Sequence, residues 1–311
     1  MRIGLVLTPL HESNLRLAAQ IGVTDVVYYD MNGMPSTYEE LRRLHGWVEE
    51  FGLKLSVIEG GPPNNEIVLG RPGREAQLEH YKRCLGAMGK AGIGVLCYNF
   101  MPASMKVART SYHTPERGGA LTSSFEWSKW DDTPVADAPT TDEQMWENLD
   151  WFLRRIIPAA EAAQVKLAMH PDDPPLSPMC GIARIMRSVE HFQRLVDLHD
   201  SPCNGLTFCQ GCFSEMGADI PAAIRHFRGR IHFVHFRDTV GDTRNFRETF
   251  HDNGKTDMLA AMRTYKEIGY EGVMRPDHVP LLEGETGPAT GYTMMGRLFA
   301  VGYMRGLMRA V

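Results

Sequence analysis

The chain is short of several things that would place it at once. It has no apolar run of the roughly 20 residues that a membrane-spanning helix requires, so none is expected. Its first residues, Met1 to Pro9, hold a brief apolar run closed by proline, without the longer hydrophobic region and small-residue cleavage site of a secretory signal. A cytoplasmic protein without membrane contact is the expectation. Basic residues are in deficit, 33 Lys and Arg against 38 Asp and Glu, for a net charge of -5. That excludes a general basic surface and makes nucleic acid a poor partner. Six cysteines (Cys84, Cys97, Cys180, Cys203, Cys209 and Cys212) lie scattered through 311 residues with no secretion signal, which argues against a disulfide framework.

What the chain has in quantity is rhythm. Short apolar, β-branched runs predict strands over 3–7, 25–29, 54–58, 95–100, 166–169, 205–208, 231–236 and 272–275. Amphipathic stretches separate them. In 38–51, Leu41, Leu44, Val48 and Phe51 share a face, and in 74–91, Leu78, Tyr81, Leu85 and Met88 do. Gly22, Gly52, Gly92 and Gly269 stand where a helix turns back to a strand, the place a left-handed cap favours glycine. Strand, helix and glycine repeated eight times predict an α/β fold, a (β/α)8 barrel of one domain over 1–311, with a doubly wound open sheet as the alternative.

One segment, 102–141, breaks the rhythm after the fourth strand. It is rich in Ser, Thr, Gly, Pro and charge, with Phe125, Trp127 and Trp130 as isolated aromatics. A loop this long at the catalytic end of a barrel reads as functional. A helix resumes after it, with Thr140 and Glu143 at capping-box spacing and Met145, Leu149, Phe152 and Ile156 on its apolar face. Pro158 is expected to kink or end that helix. Asp142, Glu143 and Glu147 suit its dipole and read as a solvated face.

Four metal-type ligands stand at the ends of apolar runs: His170, Cys209, His235 and Asp277. In a barrel they would end strands five to eight and converge on one mouth. Singly, each has an ordinary structural explanation. Jointly, two imidazoles, a thiolate and a carboxylate suit a divalent cation.

The segments carrying these residues, Met169-His170-Pro171-Asp172-Asp173-Pro174-Pro175, Gly205-Leu206-Thr207-Phe208-Cys209, Arg230-Ile231-His232-Phe233-Val234-His235, Met274-Arg275-Pro276-Asp277-His278 and Gly291-Tyr292-Thr293, resemble those of the mannonate dehydratases. So do Val95 to Pro102 and Ser56 to Glu59, and the likeness runs from Leu53 to the C-terminus. It implies a TIM barrel of the xylose-isomerase-like group that removes water from D-mannonate to give 2-keto-3-deoxy-D-gluconate. The resemblance also implies a metal on the four ligands, typically manganese, whereas the thiolate alone leans toward softer ions; zinc, cobalt, iron(II) and nickel stay open. His278 and Tyr292 match the family's acid/base positions, either of them as the base.

Arg237, two residues past His235 on the same side of an extended strand, is a candidate to bind the substrate carboxylate, with a structural ion pair at the barrel rim as the alternative. Glu59 and Asn99, at the ends of strands three and four, are candidates for sugar hydroxyls. Arg109 and His113 are weaker candidates in the long loop. Asp172 and Asp173 are expected to cap the next turn or orient His170. The departure from the family pattern lies around Val26-Val27-Tyr28-Tyr29-Asp30, which lacks its histidine and points to a divergent, shorter member. The rival readings are a metal-dependent sugar isomerase or epimerase on the same barrel and a non-catalytic sugar-acid-binding protein. A homo-oligomer, a dimer first, is expected from the way such barrels pair.

Overall fold

Each β-branched run becomes a strand and most amphipathic runs become helices, in a computed structural model that describes residues 1–29, 34–102, 108–135 and 140–311. In chain order the first half holds β1 (Arg2–Val6), α1 (Glu12–Gln20), β2 (Asp25–Tyr29), α2 (Tyr38–Glu49), β3 (Lys54–Gly60), α3 (Asn65–Val68), α4 (Arg74–Lys90) and β4 (Val95–Tyr98). Then come β5 (Ser111–Pro115), β6 (Leu121–Glu126), α5 (Asp142–Ala163), β7 (Lys166–Met169), α6 (Val189–Leu198), β8 (Asn204–Cys209) and α7 (Gln210–Glu215). The chain closes with α8 (Ile220–His226), β9 (Ile231–Phe236), β10 (Thr239–Gly241), β11 (Asn245–Glu248), α9 (Met258–Glu267), β12 (Val273–Pro276) and α10 (Met294–Ala310).

Eight parallel strands close a barrel in the order β1-β12-β9-β8-β7-β4-β3-β2. Closure removes every sheet edge, and the strands' two faces sort the side chains. Val6, Val27, Val57, Cys97, Ala168, Phe233 and Val273 fill the interior, while the alternate residues, Leu5, Val26, Ile58, Leu167 and Val234 among them, meet the helices. Gly22, Gly52, Gly92 and Gly269 all have positive φ at the helix-to-strand returns, as their spacing requires.

Three expectations are corrected. The capping box of α5 is Thr141 with Gln144, one residue on from Thr140 with Glu143, because Thr140 is taken by a bridge to Ile182 and its Oγ1 accepts from Ala183 N at 3.1 Å. Pro158 does not end α5, which runs on to Ala163. Burial of Met145, Leu149, Phe152, Leu153, Ile156 and Ala160 along one face outweighs a proline cost of about 3 kcal/mol.

The segment 102–141 is not structureless either. Its β5 and β6 join β10 and β11 in a four-stranded antiparallel sheet, order β10-β11-β6-β5, beside the barrel mouth. Phe125 packs against Trp127, Trp130 and Phe246 with ring centroids 5.8 to 6.4 Å apart, so the aromatics build a small core with Met179 and Ile182. Its residues 103–107 and 136–139, like Asp30 at the end of β2, lie outside the described residues.

Candidate active site

Register alone brings the first three side chains into a row. Cys209 pairs with His235 across β8 and β9, and Arg275 pairs with His235 across β12 and β9. Phe233 and His235 point inward together, so His235 stands above the barrel's apolar filling. His170, just past β7, brings Nε2 to 3.1 Å from His235 Nδ1, while its own Nδ1 donates to the Pro171 carbonyl at 2.7 Å. One donor atom from each of His170, Cys209 and His235 lies within 4.8 Å of the others. Asp277 Oδ2 is 3.4 Å from the same His235 Nδ1. Three of the four thus form one close group, and Asp277 joins it through His235.

The chemistry of this donor set fits a divalent cation. Burial by itself would raise the Cys209 thiol, but hydrogen bonding with Cys212, the Arg237 guanidinium and the contacts with His170 and His235 outweigh it and hold the thiol well below its usual range. Burial likewise opposes charge on Asp277, and Arg275, His278 and His235 override it and keep it a carboxylate. Glu59, buried too, is held down to about 2 by Arg275 and His235. On the far edge of the His235 ring, Nε2 has no aligned hydrogen bond and sits 3.4 Å from Glu59 Oε2, which places a carboxylate behind the proposed ligand.

Around the four lies a closed lattice of buried ion pairs. Every N–H of Arg237 is engaged: Nε on Cys209 Sγ at 3.3 Å, Nη1 on Glu248 at 2.8 Å and Glu215 at 3.4 Å, Nη2 on Asp173 at 3.1 Å and Cys212 at 3.2 Å. Arg109 is saturated as well, by Ser123, the Ala108 carbonyl, Asp173 and Glu248. A guanidinium has five donors, and both arginines, expected as substrate ligands, use all of theirs within the protein. Glu59 is bidentate with Arg275 at 2.6 and 2.9 Å. Asn99 Nδ2 lies 3.4 Å from His170 Nδ1, beside the ligands, and His113 is exposed on β5, away from them. Asp172 pairs with Arg184 and accepts from Met186 N, and Asp173 bridges Arg109 and Arg237; both brace the loop after β7.

His278 follows Asp277 with φ +44, a left-handed conformation unusual for a residue with a side chain. Gly291 allows it, because a Cβ there would lie 2.6 Å from His278 Cα. His278 Nδ1 is 2.7 Å from Glu248 Oε1. The nearby Arg109 Nη2, 3.1 Å away, already serves that carboxylate, so Nδ1 carries the proton and donates to Glu248. Tyr292 stands edge-on to His278 with ring centroids 5.9 Å apart, and stacks on Tyr29 at 5.9 Å. Burial first, then the Asp277 carboxylate, pushes its phenol well above the usual value of 10.

Four contributors escaped the sequence reading. Arg275 had a local signal, lying two residues before Asp277 and so on the same inward face. Glu248, Glu215 and Arg297 had none, since they reach the mouth from β11, α7 and α10.

Comparisons with known proteins bear on this arrangement. The model of the D-mannonate dehydratase (UxuA) family matches residues 9–138 and 135–311. A mannonate dehydratase of Streptococcus uberis is 35% identical over 334 residues, covering 97% of this chain and 95% of that one. The crystal structure of mannonate dehydratase from Streptococcus suis serotype 2 superposes with a TM-score of 0.91 at 32% identity, covering 100% of this chain and 94% of that one. A structure of L-ribulose 3-epimerase shares the barrel alone, with a TM-score of 0.65 at 16% identity over 99% of this chain and 95% of that one.

Proposed function

This chain belongs to the D-mannonate dehydratase family, and from that premise we propose that it removes water from D-mannonate to give 2-keto-3-deoxy-D-gluconate. The observation that carries the reading is the convergence of His170, Cys209, His235 and Asp277 beside two groups able to move protons, His278 and Tyr292. Those four would hold the cation, manganese first, with zinc, cobalt, iron(II) or nickel as alternatives. When bound, it supplies a Lewis acid for a substrate oxygen as negative charge builds next to the carboxylate.

The remaining roles follow from the chain's own side chains. With Nδ1 donating to Glu248, His278 presents the lone pair of Nε2 and takes the proton from C2. Tyr292 holds its proton well beyond neutral pH and donates it to the departing C3 hydroxyl, which leaves as water. The resulting enol takes a proton at C3 as its hydroxyl loses one, giving the 2-keto acid. Transfer of the proton from His278 to Tyr292 restores the starting state. Glu248, itself held by Arg109 and Arg237, keeps the His278 ring in place, and Tyr292 is held against His278 and Tyr29.

The test is turnover of a panel of aldonic acids and aldoses by manganese-loaded protein. Release of a 2-keto-3-deoxy acid from D-mannonate is expected, and interconversion of aldoses without loss of water would overturn the reading.

A further inference from the structure

Five arginines are buried among the described residues: Arg109, Arg184, Arg237, Arg275 and Arg297. The first four each face at least one carboxylate within 3.1 Å. Arg297 faces none. In the first turn of α10 it is only 3% exposed, yet Nη2 donates to neutral groups, Thr8 Oγ1 at 2.7 Å and the Tyr292 carbonyl, and Nη1 has no hydrogen-bond partner among the described residues. Glu285, the acidic residue in its neighbourhood, has its two oxygens on Leu282 N and Met295 N. Burial, with Arg275 nearby, lowers the guanidinium to about 10. A buried charge left without a counter-ion is costly, and proteins rarely keep one without use.

Position points to the use. Arg297 Cζ is 5.8 Å from the Tyr292 ring centroid, and that ring is the one beside His278. A Cβ on Gly296 would meet the Pro280 carbonyl at 2.4 Å, and Thr293 Oγ1 donates to the same carbonyl at 3.1 Å, so the start of α10 is tied to the His278 loop. Thr8 holds the guanidinium from the end of β1.

We infer that Arg297 is the substrate-binding residue that receives the carboxylate of the aldonic acid, the ligand completing an ion pair the protein leaves half made. A guanidinium fork matches a carboxylate in both charge and geometry. It would select a sugar acid over a neutral sugar of the same shape. The inference rests on the proposed reading only in taking the substrate to be an aldonic acid.

The experiment compares manganese-loaded wild type, Arg297→Gln and Arg297→Lys. Metal content and unfolding temperature without ligand should match wild type in both variants. The KM for D-mannonate should rise about a hundredfold in Arg297→Gln, with kcat falling less and Arg297→Lys recovering part of the loss. D-gluconate should raise the unfolding temperature of wild type and not of Arg297→Gln, and D-mannitol should raise neither. A KM within about threefold of wild type, equal stabilisation of Arg297→Gln by D-gluconate, or loss of metal or fold in both variants overturns the inference. If wild type fails to dehydrate D-mannonate, the proposed reaction falls, and the D-gluconate shift still decides on Arg297.

Discussion

At the ends of β7, β8, β9 and β12 the buried guanidinium groups of Arg237 and Arg275 meet carboxylates, whereas across the mouth, near the ends of β1 and β2, Arg297 meets, among the described residues, only Thr8 and a carbonyl. The first half is electrostatically finished, with ligands, their partners and the arginines behind them in one lattice. The second is unfinished among the described residues, where Arg297 stands beside Tyr292 with no carboxylate facing it. A metal centre has to be rigid before anything binds, since misplaced ligands lose the ion. A substrate site can leave its last ion pair for the substrate to supply.

The contrast can be broken most sharply at His278, which sits on the seam between the halves. His278→Ala should lower kcat on the order of 10²- to 10⁴-fold while keeping its metal, as steady-state rates and elemental analysis would show. Next comes Glu248→Gln. It leaves Arg109 and Arg237 short of a counter-charge in the finished half, so urea unfolding should show a loss of about 3–5 kcal/mol, where Arg297→Gln in the unfinished half shows none. A comparable loss in both variants would erase the distinction.

Tyr292→Phe should lower kcat about a hundredfold, and by the same factor across the pH range. The sign follows from the raised phenol: a group whose folded value lies above 10 stays protonated at every lower pH, so as a donor it contributes no alkaline fall there. An alkaline limb below pH 10 that disappears in Tyr292→Phe would contradict its role as the acid. The smallest effect is expected outside both halves. Asp252→Ala removes the exposed pair with Arg117, 2.9 Å apart, and should cost at most about 1 kcal/mol by thermal unfolding, with turnover unchanged.

How much of this was legible in the sequence depended on whether a signal was local. The barrel strands were readable because burial on both faces forces continuous apolar runs, and the returns because Gly22, Gly52, Gly92 and Gly269 mark positive φ. His170, Cys209, His235 and Asp277 stood out because barrel topology sends strand ends to one place. The sheet beside the mouth did not, since β6 finds its partner β11 about 120 residues later and no local pattern announces such a pairing. For the same reason Arg237 and Arg109 looked available: the carboxylates that saturate them, Glu215 and Glu248, come from elements whose approach only the fold defines. Arg297 reads as an ordinary residue of an amphipathic helix. Only the tally of buried charges sets it apart.

The central claim is that binding the cation and moving protons belong to different residues of one mouth. Metal content measured by elemental analysis on Cys209→Ser, His235→Ala and His278→Ala, purified alike, tests it most directly. The first two should lose the metal, and His278→Ala should keep it without turnover. Metal at the wild-type level in Cys209→Ser and His235→Ala would contradict it.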